Sequence, residues 1–218
     1  MADWSMYNDI FVSGEYDNAI RHALGEANGC CRVVDLGANV GLFAKRLLHL
    51  RRCEFSDTAL ELICVEGLNS TYRSLRKSFP SLRPDESAQL VHGLAGERTG
   101  SAYIRPNAFH AMTSLSHGGR GSGIEVSFID LENITSSWDE IDLLKCDIEG
   151  SENLVLRTYP SLIARTKTAV FEFHLDRVDP SDCRKRLSEG GLSVGRTLHE
   201  NEYISVELFR RRNAARMT

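Results

Sequence analysis

Four short segments carry side chains whose types and spacing can do chemistry together. Asp35-Leu-Gly37-Ala38-Asn39-Val-Gly41 links two apolar runs through an acid and two glycines. Glu66-Gly67 ends a second apolar run, Asp147 and Glu149 stand two apart in KCDIEG, and Glu172 and His174 stand two apart in FEFH. Gly37 has no Cβ, so it accepts a tight turn and lets a ligand reach the backbone. Gly41 opens a helix whose first N–H groups are unbonded and favour a carboxylate or phosphate. Asp35 is expected to face the same crevice and to accept from a ligand ammonium or hydroxyl. A carboxylate at position 66 can hold both hydroxyls of a ribose. The acids and the histidine after the later strands supply the means to take a proton from an acceptor.

The combination describes an adenosine-like ligand with a cationic end. The turn lacks the middle glycine of GxGxxG that lets a pyrophosphate approach, and Asp35 opposes a pyrophosphate by charge. S-adenosylmethionine carries an ammonium, a carboxylate, a ribose and a sulfonium, whereas NAD has no ammonium. An NAD(P)-dependent oxidoreductase and a binding module without turnover are the rival readings.

These residues need a scaffold that brings strand ends together. Apolar strand-like runs alternate with helix-like patterns, which predicts an α/β domain with a mainly parallel sheet. Strands are expected over residues 32–36, 61–65, 89–92, 101–105, 124–129, 141–146 and 168–173. Helices are expected over 40–50, 70–79 (ending before Pro80), 151–158 and 181–188. Residues 192–198 and 203–209 close the chain as an antiparallel hairpin, because only a short connection separates them. The result is a seven-stranded, mostly parallel sheet with the last strand reversed and helices on both faces. In such sheets ligands bind beyond the carboxyl ends of the strands.

One domain spans 1–218, with a helical or lid segment at 1–28, a flexible loop at 105–123 and a disordered basic tail at 211–218. The loop PNAFHAMTSLSHGGRGSG, with His110, Met112 and Thr113, is the expected acceptor lid. The formal charge of −4 gives no reason to expect nucleic acid or an anionic membrane as partner. No apolar run approaches a membrane span, and the acidic N-terminus does not read as a signal peptide, so a cytoplasmic location is expected. The six cysteines form no CxxC pair and read as reduced, mostly packing thiols.

The residues also carry a family resemblance. VVDLGANVGLFA at 33–44 resembles the first motif of class I S-adenosylmethionine-dependent methyltransferases, and DLLKCDIEGSENLVL at 142–156 is similar to the LLKxDxEGxE segment of the FkbM family within that class. AVFEFH at 169–174 resembles that family's strand ending in Glu-x-His, and FVSGEYD at 11–17 resembles a stretch before its first motif. The resemblance implies a Rossmann-like class I fold. It also implies S-adenosylmethionine as cofactor, S-adenosylhomocysteine as product, and a hydroxyl acceptor on a sugar, polyketide or glycan scaffold. Methylation of an amine stays open. The family commonly shows an acid after the third strand, near the adenine. Glu97 is the candidate here, with Leu94 and Ala95 as neighbours of the base.

For methyl transfer to an alcohol, a base must lie within hydrogen-bond reach. His174 is the first choice and Asp147 the second, or Asp147 orients the acceptor. Glu149 and Glu172 complete the catalytic cluster, although Glu149 and Glu152 also suit a helix N-terminus. Lys145, in a buried strand, is expected to pair with Glu172 or Asp147. Asp147 with Glu172 could alternatively hold a divalent cation. Among the N-terminal aromatics, Tyr16 and its neighbour Glu15 are expected near the cofactor, while Trp4 and Phe11 are expected to be packing anchors.

Overall fold

The computed structural model describes residues 2–104, 115–116 and 123–211. The N-terminal segment is helical: α1 (Ala2–Tyr7), one turn of π-helix (Asn8–Val12) and α2 (Asp17–Glu26). Alternation begins with β1 (Cys30–Leu36), α3 (Leu42–Glu54), β2 (Ala59–Glu66), α4 (Asn69–Ser78) and β3 (Glu86–His92). Three short strands follow, β4 (Ser101–Ile104), β5 (Leu115–Ser116) and β6 (Ile124–Ser127), then α5 (Leu131–Ile134). The rhythm resumes with β7 (Ile141–Cys146), α6 (Glu152–Thr158), α7 (Pro160–Ala164), β8 (Thr166–His174) and α8 (Pro180–Glu189). β9 (Leu192–Glu200) and β10 (Ile204–Arg211) end the described chain.

The main sheet has seven strands in the order β3-β2-β1-β7-β8-β10-β9. Its pairings are parallel except that β10 runs antiparallel to both β8 and β9. This is the Rossmann-like α/β architecture expected from the sequence. β7 sits near the centre and is buried along its whole length, which is why its sequence shows no polar alternation. α2 and α3 cover one face through Ile20, Leu24, Phe43 and Leu47. The other face is covered by α6, α7 and α8 through Val155, Leu162 and Leu187, packed on Phe171 and Phe209. Each wholly buried leucine removes enough apolar surface from water to contribute roughly 1.5–3 kcal/mol.

β4, β5 and β6 form a separate three-stranded antiparallel sheet, tied to the end of β3 through a bridge between Leu94 and Phe128. α5 and α7 were not anticipated. At four and five residues they are too short to show helical periodicity.

The expected tail from 211 onward needs correction at its first residue. Arg211 closes β10, and its guanidinium donates to the carbonyls of Thr166 at 2.9 Å, Ile163 at 2.8 Å and Gly190 at 3.1 Å. Three backbone carbonyls thus hold this half-buried arginine. Trp4 is not a packing anchor. It is 74% exposed and stacks on Tyr7 at 5.8 Å. Residues 105–114, 117–122 and 212–218 lie outside the described residues, and with them most of the expected loop, including His110, Met112, Thr113 and His117, and the rest of the tail. All six cysteines are free thiols; four are buried, Cys30 is half-buried and Cys53 is exposed. No described helix is long and apolar enough to cross a membrane.

Candidate functional site

The chain builds outward from β1 to β2 and β3 on one side, then returns to place β7 on the other. The carboxyl ends of β1, β2 and β7 therefore meet at the point where strand order reverses, where a crevice opens. Two adjoining cavities occupy it, of about 450 Å³ and about 80 Å³. Gly37, Asn39, Thr71, Asp147 and Glu149 line both.

The turn after β1 is set by its own hydrogen bonds. The N–H groups of Gly37 and Ala38 both donate to the Val65 carbonyl at 3.0 Å, which ties the ends of β1 and β2 together. Gly37 has φ +77°, and a Cβ there would run into the carbonyl oxygen of Asp147. Its glycine is thus required by the neighbouring strand end as much as by any ligand. Asn39 also takes a left-handed φ of 50°, a conformation asparagine tolerates better than most residues. This turns its N–H onto Glu66 Oε2 at 2.9 Å, while Leu68 N–H donates to Glu66 Oε1 at 2.7 Å.

Glu66 is fixed by these two donors and lines the smaller cavity with Gly67, Leu94 and Ala95. Burial raises its pKa, and the two backbone donors pull it back. A Cβ on Gly67 would come within 2.6 Å of Leu94 Cδ2, so this wall is closely fitted. Ala38 and Tyr16 line the larger cavity. Tyr16 is buried and meets Phe43 edge-on at 5.4 Å.

Three expectations about binding residues are corrected by the geometry. Asp35 does not face the crevice. It is wholly buried, lines neither cavity, and its Oδ1 lies 3.4 Å from Lys145 Nζ. Gly41 lines neither cavity. It caps α3 in a left-handed conformation, and Leu75 occupies the space a Cβ would need. Glu97 is exposed and lines neither cavity; its carbonyl accepts from Tyr159 Oη at 2.9 Å.

Lys145 does pair with Asp147, at 3.3 Å, but its other partners are the Gly37 carbonyl at 3.0 Å and Asp35 rather than Glu172. The buried ammonium thus draws the turn and Asp147 towards each other. Its pKa is raised because Asp147, Asp35 and Glu172 outweigh burial, which acts the other way.

The cluster expected to be catalytic divides in two. Glu172 and Asp147 line the larger cavity. Glu172 has its pKa raised to about 8, first by burial and then by the charge of Asp147. His174 lines neither cavity and is 7% exposed. Its Nε2 lies 3.0 Å from Glu149 Oε2 and 3.9 Å from Glu172 Oε1, and its Nδ1 lies 3.8 Å from Glu152 Oε1. Burial favours the neutral ring, but the hydrogen bond it donates to Glu149 and the nearby carboxylate of Glu152 prevail and push the pKa up to about 10. The ring is thus disposed to keep a proton, and it stands outside both cavity walls, two features that set it apart from the base expected of it.

Glu149 lines both cavities but is engaged. Its Oε2 accepts from His174 and, at 3.2 Å, from Arg177 Nη1. Its backbone is left-handed, with φ 58°. Glu152 opens α6, is wholly buried, and accepts from the N–H groups of Ile148 at 3.2 Å and Gly150 at 3.1 Å. Asp147, Glu149 and His174 each bring one atom to within 4.8 Å of the others, a spacing a cation could use. His174 and Arg177 already balance Glu149 there, so no cation is needed to explain the cluster.

Sequence reasoning missed several lining residues: Thr71, Ile148 and Ser151, and, from the two chain ends, Ser5, Met6, Asp9, Ile10, His199 and Ile204. Nothing local marks the last six. The N-terminal helices and the final hairpin reach the crevice only through tertiary packing. Asn39 between two glycines is the one local signal for a left-handed residue.

The sequence matches no protein-family model, and no curated protein matches it in sequence. Solved structures do resemble it. Magnesium protoporphyrin IX methyltransferase (ChlM) from Synechocystis PCC 6803, with bound S-adenosylhomocysteine, aligns over 94% of this chain and 86% of its own at 13% identity, with a TM-score of 0.52. Ribosomal protein L11 methylase from Lactobacillus delbrueckii subsp. bulgaricus aligns over 91% and 80% at 11% identity, with a TM-score of 0.46. TrmK of M. capricolum, also with S-adenosylhomocysteine, aligns over 89% and 68% at 8% identity, with a TM-score of 0.46.

Proposed function

We propose that this chain is an S-adenosylmethionine-dependent methyltransferase of the FkbM type, acting on a hydroxyl of a small molecule such as a sugar, polyketide or glycan scaffold. The observation that carries the reading is the crevice itself. A carboxylate held by two backbone donors, Glu66, lines a narrow cavity, which opens into a wider one containing a carboxyl of raised pKa, Glu172. The fold likeness to a methyltransferase solved with S-adenosylhomocysteine supports it.

The residues present fit the cofactor. Glu66 keeps acceptor capacity for ribose hydroxyls, with Gly67, Leu94 and Ala95 as the apolar wall beside them. The cofactor, when bound, supplies a methyl group on a positively charged sulfur. Tyr16, Asn39 and Lys145-bound Asp147 line the space beyond Glu66 and orient what enters it. Glu172 is the base that takes the acceptor hydroxyl proton. A pKa near working pH suits it, since such a group both accepts the proton and is ionised often enough to do so. His174 and Arg177 are positioning residues that fix Glu149 at the rim.

The test is ligand-dependent stabilisation followed by turnover. S-adenosylhomocysteine at a hundred times its dissociation constant raises stability by about 2.7 kcal/mol, and NADH at equal concentration does not. A radiolabelled methyl donor then screens hydroxyl and amine acceptors. Stabilisation by NADH alone, or none by either, overturns the reading.

A further inference from the structure

The proposed cofactor carries an ammonium, and the crevice must supply its counter-charge. Asp35, the acid that the sequence singled out, is enclosed under Lys145 and out of reach. The Gly37 carbonyl, a backbone acceptor in the turn, already accepts from Lys145 at 3.0 Å. Asp147 is paired with the same lysine, and Glu149 with His174 and Arg177. Asp9 has Ser5 Oγ at 3.5 Å and Glu172 has the His174 ring at 3.9 Å, which leaves one further acid on the wall of the larger cavity. Glu15 lines the larger cavity, and its Oε1 is buried with no hydrogen-bond partner among the described residues.

A buried carboxylate oxygen without a donor costs desolvation that nothing returns. Such an atom in a cavity wall marks the place where a ligand donor belongs. The segment carrying Glu15 is also held in place. Glu15 N–H donates to the Asp9 carbonyl at 3.1 Å, and Asp17 N–H to the Gly14 carbonyl at 3.0 Å. Tyr16 is packed on Phe43, and Asp17 is clamped by Arg46 at 2.6 Å and 2.8 Å. The carboxylate is therefore presented by a fixed turn, the requirement for a binding residue that does not pay for its own ordering.

We infer that Glu15 is the residue that binds the ammonium of the cofactor's amino-acid end, the role the sequence assigned to Asp35. This rests on the proposed cofactor, and the experiment separates the two. Isothermal titration compares S-adenosylhomocysteine with 5′-methylthioadenosine, which keeps the nucleoside and thioether but lacks the amino-acid end, against wild type and Glu15→Gln. The expected result is that Glu15→Gln weakens S-adenosylhomocysteine roughly 10- to 100-fold, the loss of one charge-assisted hydrogen bond, and leaves 5′-methylthioadenosine unchanged. The unchanged nucleoside also shows that the variant is folded at the site. Equal weakening of both ligands, or no weakening of either, overturns the inference. So does unaltered S-adenosylhomocysteine affinity with a raised KM for the acceptor. If wild type binds neither ligand, it is the cofactor reading that fails.

Discussion

Nε2 of His174 lies 3.0 Å from Oε2 of Glu149, at the rim of the crevice but outside its walls. The ring's pKa of about 10 in the folded chain stands above its ordinary 6.5. The folded state therefore binds this proton more tightly than the unfolded one. The stability it contributes is fully present below about pH 6.5 and is lost as pH rises through about 10. His174→Asn is expected to cost about 3 kcal/mol at pH 6, because Glu149 and Glu152 lose a buried partner. Urea titrations should show that cost shrinking by pH 10. An equal cost at both values would place the ring neutral in the folded chain.

Glu172 should govern the pH dependence of turnover. A base must be ionised to act, so kcat should rise with pH and level off above about 8. Glu172→Gln should lower kcat by roughly 10²–10⁴-fold and leave S-adenosylhomocysteine binding intact. His174→Asn should keep an inflection but move it upward, because the ring's charge 3.9 Å from Glu172 Oε1 holds the Glu172 pKa down. A profile that follows His174 instead would return the base to that residue.

Glu66→Gln tests the ribose contact. The amide keeps the shape but loses the charge and one acceptor. S-adenosylhomocysteine affinity should fall roughly 10- to 100-fold, about 1.4–2.7 kcal/mol. Adenine alone should bind equally to both proteins in the same titration.

Far from the crevice, Arg51 and Glu86 form a buried pair between α3 and β3, with Arg52 as a second partner of Glu86. Hydrogen bonding to Arg52, then to the Arg83 N–H, holds the Glu86 pKa at about 2, against an ordinary 4.5. This stability is present above pH 4.5 and is lost as pH falls towards 2. Glu86→Gln should cost about 3–5 kcal/mol at neutral pH. It should also flatten the acid limb of the melting profile between pH 4.5 and 2; a limb as steep as wild type would refute the pairing.

Most of the sheet was legible in the sequence. The apolar runs of β1, β2, β7 and β8 are buried strands whose side chains show themselves by composition, and the short connection before β10 forced a hairpin. Glu66, Asp147 and Glu172 follow from the same logic, since a polar residue at the end of an apolar parallel strand comes out where the sheet's ligands sit. What composition and spacing could not decide is which of several acids meets a ligand and which meets another side chain. Asp35 and His174 look equivalent to Glu66 and Glu172 along the chain. Only packing reveals that Lys145 covers the first and that Glu149 and Glu152 enclose the second. Charge partners are chosen by distance across strands and helices remote in sequence. So the sequence by itself determined the scaffold and the family of candidate groups, whereas the tertiary structure determined their protonation and their access to the crevice, because both depend on burial and on neighbours that no local pattern encodes.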